Sequence, residues 1–390
     1  MSKPFRYVLT ATFLLVLGTY ISGTILTPYA KEMGATWLQI GILSGSMYVI
    51  RLFFGVPIGR LADKKGTLTV LKYSLILYPL IAAAYYFAWN MPSLLCARLF
   101  HGVASAMMLP MGMAYVGHIS PEGKEAKYMS RYNLCVILAS GIGPMLSTMI
   151  AGYFRYRATF LVLFLLAVIS LFVILLSKEE HQGMPGIVKP ESIKQEDKKR
   201  FLHKGNKKGI FALSIANIAL AVVSSLVGFF LVPFLTDKGL SLQYTGSYIA
   251  IYYLVSGIIQ IPVGKLININ NTYRTAILSG IGTAVAFLIV PFTDHLILLC
   301  LELVAIAVTS AVFLTAISSL SVRIGRKQGM GNTMGLLSSV NSAGMVFGCF
   351  ILGLLPGTAG SYGWLFCFAG GSMLICTILF SALWLRQDIQ

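Results

Sequence analysis

Where two long apolar runs meet, 38–60 and 68–89, the chain reads Gly59-Arg60-Leu61-Ala62-Asp63-Lys64-Lys65-Gly66. Each run is long enough to cross the ~30 Å hydrocarbon core of a bilayer as a helix, which takes about 20 mainly apolar residues. The junction concentrates three bases and one acid in eight residues. Its glycines permit a tight turn and close helix approach, and an aspartate at a helix end can accept from the N–H groups of a facing helix. The stretch therefore predicts a helical hairpin with a short, base-rich turn.

The rest of the chain repeats that pattern. It has 390 residues, 57% hydrophobic and 11% charged, with a mean hydropathy of +0.80. Soluble domains carry roughly 25% charged residues, so a water-soluble fold is excluded. A barrel would show short alternating segments of about 10 residues, which are absent. Breaking the chain at polar connections gives spans 8–29, 38–60, 68–89, 92–117, 127–151 and 156–177, then 209–235, 243–266, 273–292, 295–322, 331–354 and 361–385. Of 43 charged residues, 14 fall between Lys178 and Lys208. The expected organisation is an N-terminal six-helix bundle, 1–177, a cytoplasmic linker, 178–208, and a C-terminal six-helix bundle, 209–390.

The two halves also match in sequence. Val56-Pro57-Ile58-Gly59-Arg60-Leu61 is answered by Ile261-Pro262-Val263-Gly264-Lys265-Leu266, and Leu94-Leu95-Cys96-Ala97-Arg98 by Leu298-Leu299-Cys300-Leu301-Glu302. Such duplication is a transporter signature, because two similar bundles can rock about a site near the bilayer midplane. Orientation follows from the bases: with both ends inside, cytoplasmic segments hold 24 of 30, and external connections hold only Lys31, Arg155, Arg157 and Lys238. The formal net charge of +17 fits anionic lipid headgroups better than nucleic acid, since no basic patch is interleaved with exposed aromatics. Six cysteines lie in apolar stretches without metal-ligand spacing and read as small core residues.

The Gly59–Gly66 stretch resembles the cytoplasmic loop signature of the major facilitator superfamily, with Thr67 and Leu68 in place of its later basic pair. Arg98 followed by His101-Gly102 is similar to that family's helix 4 element, His101 standing where glutamine is common. Gly141-Ile142-Gly143-Pro144 resembles the helix 5 element of its antiporter members, with Ser147 and Thr148 at the terminal glycine positions. The resemblance implies an all-α membrane protein of 12 transmembrane helices in two pseudo-twofold-related six-helix bundles. It implies a conformational latch at Gly59, Asp63, Lys64 and Gly66. It also implies secondary active transport, most simply export of a small amphiphilic drug or metabolite by proton antiport. Nutrient uptake, facilitated diffusion or lipid flipping by the same fold is the alternative.

Embedded charge gives the sharpest site expectation. Glu302 is the one acid well inside a span, against two embedded bases, Arg51 and Arg98. A carboxylate in apolar surroundings readily takes up a proton, whereas beside an arginine it stays ionised. Glu302 is accordingly either a proton carrier or an ion-pair partner. The N-terminal half embeds arginines and no carboxylate, which favours a neutral, zwitterionic or anionic substrate. Helices 1, 4, 7 and 10 line the passage in the family, which adds Tyr20, Thr24, Met108, Tyr115, Asn217, Ser225 and Phe229 to the substrate-cavity candidates. The glycine pairs Gly55/Gly59 and Gly344/Gly348 support tight helix crossings. No Walker loop, HExxH or GxSxG motif is present, so an enzyme is not expected, nor a cofactor or metal. The expected partners are a small-molecule substrate, protons and membrane lipids. The expected form is a monomer in the cytoplasmic membrane, with both termini in the cytoplasm.

Overall fold

The structure, a computed structural model, describes residues 3–176, 204–231, 234–235, 238–240, 242–268, 270–359 and 363–388. Twelve long helices run through these residues: α1 (Lys3–Glu32), α2 (Trp37–Lys65), α3 (Thr67–Tyr86), α4 (Met91–Ile119), α5 (Glu125–Phe154), α6 (Tyr156–Leu175), α7 (Lys204–Ser225), α8 (Leu242–Leu266), α9 (Thr272–Ile289), α10 (Leu296–Gln328), α11 (Met330–Ala359) and α12 (Gly363–Asp388). Among the described residues, eleven helices are long and apolar enough to cross a membrane. Each predicted span falls on one of the twelve. The predicted linker lies outside the described residues as far as 203, and its last residues belong to α7, which begins at Lys204.

Helix boundaries follow local chemistry. Thr36 caps α2 by accepting from the Gln39 N–H, while the Gln39 side chain accepts from the Thr36 N–H at 2.9 Å, a reciprocal box that satisfies two otherwise orphaned donors. At its other end the Gly66 N–H donates to Ala62 O at 2.8 Å, and Gly66 takes φ +92°. An L side chain is strained at that dihedral. One glycine thus suffices to join α2 to α3. In α7 the last turn widens into a π segment, Leu226–Phe230, an irregularity common at functional sites.

The helices divide into two compact units. The first comprises Met1–Ile119, Cys135–Ile193 and Gly329–Ser339, so far as those stretches are described, and therefore includes the start of α11. Inside it α1 packs on α6 and α4, α3 on α4 and α6, and α2 on α4. The second comprises Ser120–Leu134, Lys194–Gln328 and Val340–Gln390, again as described, and includes the start of α5. Inside it α7 packs on α12 and α10, α9 on α10 and α12, and α8 on α10. The neighbour pattern of each unit is the other's shifted by six helices, as the internal sequence match predicts.

The outward faces are apolar as well. Phe53 is 68% exposed and Leu80 64%. That corrects the reading of the cysteines. Cys96 is exposed, and Cys135, Cys300, Cys367 and Cys376 are half-buried. In a lipid-facing protein an apolar stretch does not imply burial.

Candidate functional site

The Gly59–Gly66 loop meets the start of α11 within the first unit. Asp63 Oδ1 accepts from the Gly331 N–H at 2.7 Å, and Oδ2 from the Asn332 N–H at 2.8 Å. These are two of the four N–H groups that a helix start leaves unpaired, and the carboxylate also meets the positive end of the α11 dipole. Such contact requires the two backbones to approach closely. A Cβ added at Gly59 would lie 2.5 Å from Gly331 O, and one at Gly331 would lie 2.6 Å from Gly59 O. Gly55 and Gly335 face each other one turn further along, where a Cβ at Gly55 would stand 2.7 Å from Gly335 O. The sequence offered Gly55 and Gly59 but not their counterparts Gly331 and Gly335, which repeat at the same spacing of four. Lys64 is exposed, and Lys65 lies over the Tyr73 ring at 5.8 Å.

A cap of this kind stabilises a helix start by about 1 kcal/mol, and the charge–dipole contact adds about 0.3–1. Asp63→Asn removes the charge and one of the two acceptors. Amide exchange at Gly331 and Asn332 is expected to accelerate about tenfold, since ~1.4 kcal/mol is a factor of ten. Unchanged exchange at those two amides rules out the capping role.

The second copy of the loop is built differently. Gly264, which matches Gly59, approaches Ser130 and Ala126 near the start of α5. Asn268 stands where the repeat offset places Asp63; it is exposed, and its backbone N–H donates to Asn271 Oδ1 at 2.8 Å. The acid is supplied instead by Glu125, the first residue of α5, whose side chain is 1% exposed. Arg326 Nη1 of α10 donates to Glu125 Oε1 at 2.7 Å, and Arg323 Nε lies 3.7 Å from Oε2. Arg326 Nη2 also donates to the Ser120 hydroxyl at 2.8 Å and to the Ser120 carbonyl. Sequence reasoning missed this cluster. Glu125 reads as one charge among several in a polar connection, and its arginines are 198 and 201 positions away.

Glu302 lies in the second turn of α10. Its Oε1 accepts from the Thr293 hydroxyl on the α9–α10 connection, and Oε2 is buried with no hydrogen-bond partner among the described residues. The described ion pairs do not include it. In the first unit, Arg51 stands midway along α2 and Arg98 in the second turn of α4, with the Nε of each buried and without a hydrogen-bond partner among the described residues. Arg98 and Glu302, matched in the sequence repeat, thus occupy the same turn of α4 and α10.

Gly143 and Ser147 join α5 to α1. A Cβ at Gly143 would lie 2.5 Å from Tyr20 Cβ, and the Ser147 hydroxyl donates to Ile21 O at 2.5 Å. Where the family element ends in glycine, serine here adds a hydrogen bond across the crossing. Gly141 and Pro144 lie in the same helix. Beside it Thr148, Ala151, Gly152 and Arg155 share with Ile25, Pro28, Glu32 and Tyr156 a groove of about 730 Å³.

Of the remaining cavity candidates, Tyr20 is 40% exposed and Thr24, also exposed, donates to Tyr20 O at 2.8 Å. Met108 is buried and Tyr115 half-buried on α4. In the second unit Asn217 is half-buried, its side-chain amide donating to Leu213 O at 2.8 Å while its backbone carbonyl accepts from the Asn341 side-chain amide at 3.3 Å. Ser225 is fully buried beside Gly348, with its hydroxyl donating to Ala221 O at 2.9 Å. Phe229 belongs to the π segment, and its side chain lies outside the described residues.

Comparison with known proteins places this architecture. The sequence profile of the Major Facilitator Superfamily matches residues 8–212 and 213–389, one repeat each. An uncharacterized MFS-type transporter of Methanocaldococcus jannaschii is 25% identical over 357 residues, 90% of each chain. The quinolone resistance protein NorA of Staphylococcus aureus is 28% identical over 151 residues, 38% of this chain and 39% of NorA. Among solved structures, the human organic anion transporter MFSD10 (TETRAN) superposes with a TM-score of 0.78 at 17% identity, covering 97% of this chain and 99% of that one. The transporter FucP, in its outward conformation, gives 0.77 at 13% identity, covering 97% and 98%.

Proposed function

The chain belongs to the Major Facilitator Superfamily and is a multi-pass membrane transporter, and from that premise we propose that it exports a small amphiphilic drug or metabolite across the cytoplasmic membrane by proton antiport. It works by alternating access as a monomer, with both termini in the cytoplasm. The observation that carries proton coupling is at Glu302, whose carboxylate is held by the neutral hydroxyl of Thr293 while its other oxygen is buried and, among the described residues, unpartnered. A carboxylate fixed by a guanidinium stays ionised, whereas one held by a hydroxyl can exchange its proton during a cycle. The helix 5 crossing at Gly143 and the segment shared with the quinolone resistance protein support export as the direction. The driving force is adequate, since one charge crossing 100 mV releases about 2.3 kcal/mol, a roughly fiftyfold concentration ratio.

The test compares the medium-to-cell ratio of many metabolites in cells with and without the protein. Expression is expected to raise that ratio for particular compounds, a protonophore to collapse the rise, and Glu302→Gln to abolish it. Ratios that fall on expression would instead identify uptake. Counterflow that persists without a pH gradient and is unaffected by Glu302→Gln would identify facilitated diffusion.

A further inference from the structure

Midway along α2 and in the second turn of α4, the first unit embeds the guanidinium groups of Arg51 and Arg98, and no described acid pairs with either. Its described acidic residues are Glu32 and Asp63, at the ends of α1 and α2. Arg51 and Arg98 flank one helix crossing. A Cβ at Gly102 would lie 2.7 Å from Ile50 Cβ, Arg51 follows Ile50, and Arg98 stands one turn before Gly102. Both charges act on the same two rings, Tyr78 and His101. These rings are themselves packed edge to face, 5.4 Å apart.

Among the described residues, what the protein offers the two arginines is neutral. Arg51 donates to the Ser338 hydroxyl at 3.4 Å and lies 5.9 Å from the Tyr48 ring centre. Arg98 is within hydrogen-bonding reach of the Tyr85 hydroxyl, which is itself 3.1 Å from His101 Nδ1. A ring face returns only part of what a guanidinium loses on leaving water. Two like charges at one crossing raise the deficit further. Both Nε groups remain buried and, among the described residues, unpartnered. Nε–H is one arm of the fork with which arginine grips a carboxylate or phosphate through two parallel bonds, so one oxyanion would supply both the missing acceptor and the missing counter-charge.

We propose that Arg51 and Arg98 together bind the oxyanion group, a carboxylate or phosphate, of an amphiphilic organic anion, which is the substrate. Tyr20 and Tyr48 bear on Arg51 from α1 and α2 and contact the substrate's apolar part. This inference rests on the transport reading and adds the charge class of what is carried.

The test uses the metabolite comparison with four further variants, Arg51→Gln, Arg98→Gln, Arg51→Lys and Arg98→Lys. Each is checked for membrane level and for a single peak in size exclusion. The compounds moved by the wild-type protein are expected to carry a carboxylate or phosphate. Either glutamine variant should reduce their movement about tenfold or more, and the lysine variants, which keep the charge without the fork, should fall between. Lys238→Gln, which removes a base of the second unit, should leave it unchanged. Purified wild-type protein in neutral detergent should gain thermal stability from the same anions and not from their neutral amides. Movement of cations or neutral compounds alone, or of anions equally by the glutamine variants, overturns the anion site while leaving transport standing. Stabilisation by phosphatidylglycerol alone, lost in the glutamine variants, assigns the arginines to a lipid headgroup and overturns the substrate assignment. If no compound moves, the transport reading fails, and the anion site with it.

Discussion

Alanine at Gly59 or at Gly331 is expected to lower the thermal midpoint of the detergent-purified protein by about 1–4 °C, from overpacking of about 1–3 kcal/mol. A Cβ at either position falls 2.5–2.6 Å from a backbone carbonyl oxygen of the facing helix. No side chain can rotate to relieve that contact, so α2 and α11 must separate. Separation also withdraws Asp63 from the Gly331 and Asn332 amides, which ties the mechanical loss to an electrostatic one. Gly23 and Gly45 supply the control, because a Cβ there meets no heavy atom within 4 Å. Both lie in helices, where alanine is favoured over glycine by about 1 kcal/mol, so the sign should reverse or the effect vanish. Equal behaviour of all four alanine variants in a thermal melt would show that α2 and α11 do not pack through these glycines.

Removing Arg326 should be comparably damaging for a different reason. Glu125 is buried, and Arg326 provides its 2.7 Å partner while also holding Ser120. Breaking a buried pair from one side typically costs about 3–5 kcal/mol, because the remaining charge stays in apolar surroundings. Arg323, 3.7 Å from the other carboxylate oxygen, offsets part of this, so about 3 kcal/mol is the expected loss for Arg326→Ala. Glu125→Gln removes the stranded charge. The double variant should therefore be more stable than Arg326→Ala alone, a non-additivity that a double-mutant cycle measures. A double variant as unstable as the sum of the two single ones would mean that Glu125 and Arg326 are energetically independent.

Helix number, the internal repeat and the loop at Asp63 were readable in the sequence, because each rests on a one-dimensional signal: run length, matched spacing and a charged turn between apolar spans. The partners of those features were not. Gly331 and Gly335 have the right spacing but sit at a helix start beside Gly329, where glycine reads as a boundary. Glu125 has ordinary polar neighbours in sequence, and only folding brings α10 to it. Burial was the least readable property. In a soluble helix the polar face marks the outside, whereas here both faces are apolar and nothing distinguishes exposed Phe53 or Leu80 from buried Leu15. Ser225 illustrates the same limit from the polar side. Its hydroxyl is satisfied by its own helix, so a polar residue needs no cavity to be accommodated.

Proton coupling through Glu302 is most directly measured with purified protein in vesicles, using a compound that the metabolite comparison singles out and an imposed pH gradient as the only energy source. The wild-type protein should accumulate that compound uphill, with accumulation collapsing when the gradient is dissipated. Glu302→Gln should retain exchange without a gradient but lose the uphill phase. Wild-type flux that is the same with and without the gradient, or uphill accumulation that survives Glu302→Gln, would contradict the assignment of Glu302 as the proton carrier.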